Sequence, residues 1–221
     1  MALIKPILGE MAGSIAGVTF SHTKGGLAVK RRPTPTNPQT AAQQLARATL
    51  DELARKWRDD LDDLQRADWI QFAATKTERN KLGESVNWSG QQQFIALNSR
   101  LLRTGGTVQL LSPPMSGPPD LASVTLTAEV AKPASVAFTA TPLAAGHKLI
   151  VWGLPNHSPG RRPLLSNCTI LGVSAAAAAS PFALAAAPEP IADLAYTVFV
   201  QVIDLYGQVS VPVRATDIGA I

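Results

Sequence analysis

The residues that could do chemistry are few and scattered: three histidines (His22, His147 and His157), one cysteine (Cys168), four neighbouring aspartates (Asp59, Asp60, Asp62 and Asp63) and the basic triplet Lys30-Arg31-Arg32. A histidine works as an acid or base only beside a group that orients it and a proton it can reach. His22 lies in an alternating stretch, His147 at the start of a predicted strand and His157 in a Pro-rich loop, with no nucleophile or carboxylate at motif spacing, so each reads as a solvated or partly packed side chain. Cys168, between Asn167 and Thr169, reads as a small buried hydrophobe rather than a reactive thiol. The four aspartates sit where helices end and begin, and capping explains them better than a cation site, which would need calcium-loop spacing and a glycine bend. No P-loop, dinucleotide fingerprint, nucleophile elbow or zinc spacing occurs. The expectation is a protein that is not an enzyme and takes no cofactor and no metal.

A lone cysteine excludes an intrachain disulfide, so stability must come from burial. At 221 residues and 46% hydrophobic content the chain can bury a real core, built mainly of Ala, Val and Leu because only 5% of residues are aromatic. No apolar run approaches the ~20 residues needed to span a bilayer, and MALIKPILGEM lacks a proper apolar segment and cleavage site; the expectation is a protein made in a cytosol, without a signal peptide and without a membrane partner. Charge is uneven: residues 1–106 hold 15 Lys+Arg against 10 Asp+Glu, and residues 107–221 hold 5 against 6. The opening 32 residues alone carry +4, which suits nucleic acid, a membrane surface or an acidic protein patch without choosing among them.

That basic triplet closes the stretch that organises the chain, residues 13–40. Val18, Phe20 and His22 alternate with Thr19, Ser21 and Thr23; Lys24-Gly25-Gly26 supplies a tight turn; Leu27, Val29 and Arg31 then alternate with Ala28, Lys30 and Arg32. The spacing predicts a two-stranded ribbon, which is marginal in water unless a sheet, a helical face or a neighbouring subunit covers it. It reads as an assembly arm whose interface residues are Gly13, Gly17, Val18, Phe20, Gly25, Gly26, Leu27, Val29, Lys30, Arg31 and Arg32. As a nucleic-acid contact the triplet is weaker, since adjacent strand residues point to opposite faces and only Phe20 stands nearby to stack on a base. As a charged strand edge it is ordinary.

Three prolines, Pro33, Pro35 and Pro38, then give a stiff extended linker. Three capping boxes follow, Thr40 with Gln43, Asp62 with Gln65 and Ser89 with Gln92, each opening an amphipathic helix. The predicted apolar faces are Ala42, Leu45, Thr49, Leu53 and Trp57; then Leu64, Trp69, Phe72 and Ala73; then Phe94, Leu97, Leu101 and Leu102, ended by Gly105-Gly106. Trp57, Trp69 and Trp88 read as core anchors rather than a ligand cage. Beyond the Pro/Gly-rich residues 111–120 the period changes to two, with strand candidates Ala122 to Val130, Ser135 to Thr141, His147 to Leu154, Cys168 to Val173, Ala195 to Asp204 and Gln208 to Ala215. Ser174 to Pro190 reads as a crossover with at most a short helical turn. The fold class is therefore α+β: a hairpin arm and linker (1–36), a three-helix module (37–110), a linker (111–120) and an antiparallel β-sandwich of immunoglobulin or fibronectin-III type (121–221), with Trp152 near the middle of its core.

The run Gly13-Ser14-Ile15-Ala16-Gly17-Val18-Thr19-Phe20-Ser21, then Gly25-Gly26, Arg32-Pro33 and Asn37-Pro38-Gln39-Thr40 with Gln43-Gln44, resembles the opening of a family of small structural proteins encoded by tailed bacteriophages and prophages. The resemblance continues through Trp57 to Trp69 and Ser89-Gly90-Gln91 to Asn98, then through a fibronectin-like part, Thr139 to Trp152 and Val198 to Gln208. Ala16 and His22 stand where the family pattern has Gly and a polar or basic residue. The resemblance implies a virion structural protein of the tail or neck, a fibre or collar component, assembled in the bacterial host cytoplasm. Its partners would be other virion proteins of the tail, neck or capsid, and it would form a homo-oligomer, a trimer among the options. It offers no catalytic residue. A capsid decoration or cement protein, and a nucleic-acid-binding protein using the basic arm, are the alternatives. A carbohydrate binder using Asn156-His157-Ser158 and Arg161-Arg162 lacks the exposed aromatic platform and paired carboxylates that sugars require.

Overall fold

The computed structural model describes residues 2–4, 12–23, 26–32, 36–79, 84–139 and 143–219. They form two compact units, residues 1–45 and residues 46–221.

The first unit is larger than the predicted ribbon. Four antiparallel strands, β1 (Ala2–Ile4), β2 (Gly13–Ile15), β3 (Val18–Thr23) and β4 (Gly26–Arg31), lie in the order β1-β4-β3-β2. The hairpin β3–β4 is as expected, with Phe20 opposite Val29 and Val18 opposite Arg31. Strands β1 and β2, not expected from the sequence, add one strand to each edge. Two added strands relieve part of the deficit of a lone ribbon, and Leu27 and Ala28 are accordingly buried.

Helix α1 (Ala41–Asp59) starts at Thr40, whose hydroxyl accepts from Gln43 N while Gln43 Oε1 accepts from Thr40 N, both at 3.4 Å. Helices α2 (Asp63–Thr75) and α3 (Gly90–Arg103) open on complete capping boxes at Asp62 and Ser89. Between them lies a two-residue pair of strands, β5 (Glu78–Arg79) and β6 (Ser85–Val86). Past the end of α3, Gly105 takes a positive φ of 67° and Gly106 N donates to Leu101 O at 2.8 Å, the bond that closes off the last turn. Leu53, Leu61, Trp69, Phe72, Phe94 and Leu97 form the helical core, with Trp57 packed against it. Four predicted core positions are corrected. Ala42, Leu45, Leu64 and Trp88 are exposed, because α1 is covered only over its second half, and Leu64 and Trp88 stand beside the helix N-termini rather than between helices.

The remaining strands are β7 (Ser123–Thr127), β8 (Ser135–Thr139), β9 (Lys148–His157), β10 (Thr169–Val173), β11 (Phe182–Ala183), β12 (Ala195–Ile203) and β13 (Val213–Ile218). They make a three-stranded sheet, β11-β8-β7, and a four-stranded sheet, β10-β9-β12-β13, antiparallel throughout. The observed class is α+β. Alternate residues of both sheets, among them Leu126, Val136 and Phe138 from one and Leu149, Val151, Val198 and Val200 from the other, share one core. Residues 174–190 hold β11 and no helical turn, and the last strand begins at Val213 rather than Gln208, with Val209 making one isolated bridge to Ile203. Residues 140–142, including the predicted strand end at Thr141, lie outside the described residues.

Trp152 requires a further correction. On β9 the residues Leu149, Val151 and Gly153 face the shared core, so Ile150 and Trp152 face the other way. There Ile150 joins Leu101 of α3 and Ile203 of β12 in a separate cluster, with Trp152 packed against it and the Arg103 guanidinium 5.6 Å from its ring centre. This cluster fixes α3 to the outer face of the four-stranded sheet.

Tyr196 is fully buried in the shared core, and its hydroxyl has no hydrogen-bond partner among the described residues. Burial pushes its phenol up to about 12. The unfolded chain releases this proton near pH ~10 while the folded chain retains it, so stability falls as pH rises from about 10 towards 12. Tyr196→Phe is expected to be neutral or stabilising by up to about 1 kcal/mol near pH 7, because no bond is lost, and to flatten the alkaline decline. Urea unfolding near neutrality and at about pH 11 checks both, and a loss above ~2 kcal/mol would show that the hydroxyl is satisfied in solution.

Candidate assembly surface

The candidate surface is built by cross-strand rows of the first sheet. Ile15, Val18 and Arg31 are directly opposite one another on β2, β3 and β4 and so share one face; Gly13, Phe20, Val29 and Ala2 make a second row on that face. The intervening row, Ser14, Thr19 and Lys30, belongs to the other face, where the Ser14 and Thr19 hydroxyls bond at 2.8 Å. Ile15 is 64% exposed, Val18, Phe20 and Val29 are half-buried, and Lys30, Arg31 and Arg32 are exposed. Among the described residues none of these three cations makes an ion pair. The Ile15–Val18 row thus ends in Arg31, while Lys30 lies on the opposite face.

Two turns set this arrangement. Between β2 and β3, Ala16 (φ 45°) and Gly17 (φ 81°) are both left-handed, the requirement of a tight two-residue hairpin, and Arg32 N donates to Gly17 O at 2.7 Å, tying the end of β4 to that turn. The signal in the sequence was Gly17 between two alternating pairs, masked because alanine at position 16 rarely adopts positive φ. Gly26 opens β4 at φ 115°, and Gly13 opens β2 at φ 116°. Gly25 lies outside the described residues. Leu27 is buried, so of the predicted interface side chains it serves the sheet's own packing.

The other candidate groups have structural roles. His157 closes β9 in a buried position, with Nδ1 2.9 Å from Ser158 O and Nε2 2.9 Å from Thr197 Oγ1, which in turn lies 3.0 Å from Thr216 Oγ1. That chain is satisfied when Nδ1–H donates to the carbonyl and Nε2 accepts from the threonine. His147 lines a cleft of about 260 Å³ beside Asp204 and Tyr206, but Asp204 Oδ1 already accepts from Tyr206 N and Gln208 N, both at 2.9 Å, and holds the turn before β13. Cys168 is half-buried, its thiol donates to Leu164 O at 3.3 Å, and burial pushes its pKa up, which favours the inert thiol. Asn156 is used by the backbone, donating to Glu189 O and accepting from Ile191 N. The Trp152 ring is covered by Arg103 and offers no open platform for a sugar.

At the α1–α2 turn Asp62 caps α2, Asp60 lies 3.5 Å from Lys56, Asp63 lies 2.7 Å from Arg66, and the hydrogen bond from Arg58 holds the Asp59 carboxyl below its usual range. Among the described residues no group of three His, Cys, Asp or Glu could hold a metal ion, and no helix is long and apolar enough to cross a membrane. No family model matches the chain, and no curated protein matches its sequence.

Proposed function

We propose that the chain is a structural protein of a tailed-phage virion, attached through residues 1–45 and presenting its β-rich part as a projecting module. The observation that carries this reading is that the arm is a compact unit of its own, with an incompletely covered apolar face whose exposed row ends in Arg31. Among the described residues its outer strand β2 pairs with β3 alone, which offers an edge for strand addition. The resemblance of residues 13–44 to phage and prophage structural proteins supplies the setting. The β-rich part is read as a fibronectin-III-like sandwich; the division of seven strands into β7, β8 and β11 against β10, β9, β12 and β13 around one core supports this. Tail or neck, as part of a fibre or collar, is the preferred location.

Deletion of residues 1–36 tests the reading. The truncated chain is expected to keep a cooperatively folded β-rich part and to be lost from purified particles; normal incorporation would overturn the anchoring role. Copy number in the intact particle separates the sites, since a multiple of three or six fits tail or neck and many hundreds fits capsid decoration.

A further inference from the structure

We infer that the arm of one copy docks on the α1–α2 corner of a neighbouring copy, so that the chain assembles head to tail with itself. The inference rests on reading residues 1–45 as an assembly element and names the neighbour that the element takes.

Charge complementarity within the one sequence carries it. Residues 11–45 hold four cations and no carboxylate, whereas residues 51–68 hold seven carboxylates against four cations. The arm sheet carries its cations at one end but on both faces: Arg31 closes the exposed row of Ile15 and Val18, Lys30 lies in the adjacent row on the opposite face, and the Arg32 backbone is tied to the Ala16–Gly17 turn. The corner has the converse design. Asp51, Arg55 and Asp59 form one i, i+4 row on α1, and Glu52, Lys56 and Asp60 form the row beside it. Together they line a shallow cavity of about 330 Å³. The internal pairs Arg55–Asp51 at 2.7 Å, Arg58–Asp59 at 2.7 Å and Lys56–Asp60 at 3.5 Å leave Glu52 as the cavity's excess carboxylate among the described residues. At the start of α2, Leu64 stands 78% exposed next to Asp63. An apolar row closed by Arg31 therefore complements a net-acidic corner that carries the exposed Leu64. Apolar burial would supply adhesion, and the charges would set register and speed of encounter. Two different patches meet, so the contact is heterologous and propagates into a ring if the rotation closes or a filament if it does not.

The test uses the full chain in two charge-reversed forms, one with Lys30→Glu, Arg31→Glu and Arg32→Glu, the other with Glu52→Lys, Asp59→Lys and Asp60→Lys. All six positions are exposed, and lysines at the carboxyl end of α1 are favoured by the helix dipole, so both forms should fold, which circular dichroism checks. Light scattering after size exclusion is expected to show the unaltered protein associating at about 50 mM salt and dissociating at about 500 mM, where the screening length is short. Each reversed form alone should associate about tenfold or more weakly, and an equimolar mixture of the two should associate again, because both contacts are restored with inverted sign. A monomer at low salt, reversals without effect, a mixture that stays monomeric, or duplex DNA bound without self-association would each overturn the inference. If the protein is monomeric yet the 1–36 deletion is lost from particles, the self-contact fails and the anchoring role stands; normal incorporation of that deletion defeats the anchoring role whatever the association state.

Discussion

Trp69→Ala is expected to destabilise the protein by about 3–5 kcal/mol, measured as a shift in the urea midpoint of the unit formed by residues 46–221. Trp69 is fully buried at the centre of the helical core. Its ring meets Phe72 edge-on at 5.9 Å and Phe94 edge-on at 5.3 Å, and Phe94 in turn packs on Trp57 at 5.5 Å, so the Trp69–Phe94–Trp57 chain joins all three helices. Its indole N–H donates to Leu110 O at 2.9 Å and pins the segment that follows α3. Truncation opens a large cavity and leaves that carbonyl without its donor, and both losses add. Trp69→Phe keeps most of the volume and should cost about 1–3 kcal/mol, reporting mainly the lost bond. Trp88→Ala, at a side chain 39% exposed, should stay within about 0.5 kcal/mol. A Trp69→Ala cost no larger than that of Trp88→Ala would mean that this aromatic cluster does not hold the module together.

Gly207→Ala is the second large effect, about 2–6 kcal/mol from two causes acting together. Gly207 has a φ of 85°, in the left-handed region, and a Cβ there would sit inside the van der Waals envelope of the Leu97 carbonyl and 3.2 Å from Leu101 Cγ. The backbone of this turn passes directly against α3, so neither side can yield without moving a helix. The same turn carries bonds to α3 and to the linker that follows it: Arg100 Nη1 donates to Gly207 O at 2.8 Å, and Gln208 Nε2 donates to Pro114 O at 2.9 Å. Gly160→Ala is the control, since nothing lies within 4 Å of the added carbon and its φ lies outside the left-handed region. The measurement is again the denaturant midpoint, with near-ultraviolet dichroism of the tryptophans reporting the docking of α3. Equal midpoints for the two alanine variants would show that the close approach of Gly207 to Leu97 is not kept in solution.

Much of the helical part was legible beforehand because capping is local chemistry. Thr40, Asp62 and Ser89 each bond with a glutamine three residues on, and no distant residue is needed to make that pattern. Strands that alternate over five or more residues, such as β8, β9 and β12, were legible for the same reason. Short strands were not. β11 is two residues in an alanine-rich run, and β1 and β2 are three residues each; their partners define them more than their own side chains do. The turn at Ala16–Gly17 was hidden because alanine carries no signal for the left-handed conformation it adopts there. Of the candidate surface, the residue types and the positive charge could be read in advance. The row that puts Ile15, Val18 and Arg31 together could not, because it depends on the unseen register of β2.

By itself the sequence determined where helices begin, which segments alternate, that no intrachain disulfide could hold the fold, and that positive charge is concentrated before Asp51 while acids follow it. Those are properties of neighbours along the chain. Only the tertiary structure decided that α3 lies on the outer face of the four-stranded sheet through Leu101, Ile150 and Ile203, that Trp152 faces this helix rather than the core between the sheets, and that the arm is a four-stranded sheet rather than a ribbon. The reason is that pairing register and the choice of buried face are fixed by contacts between residues far apart in sequence, and a strand's two faces look alike until its partners are in place.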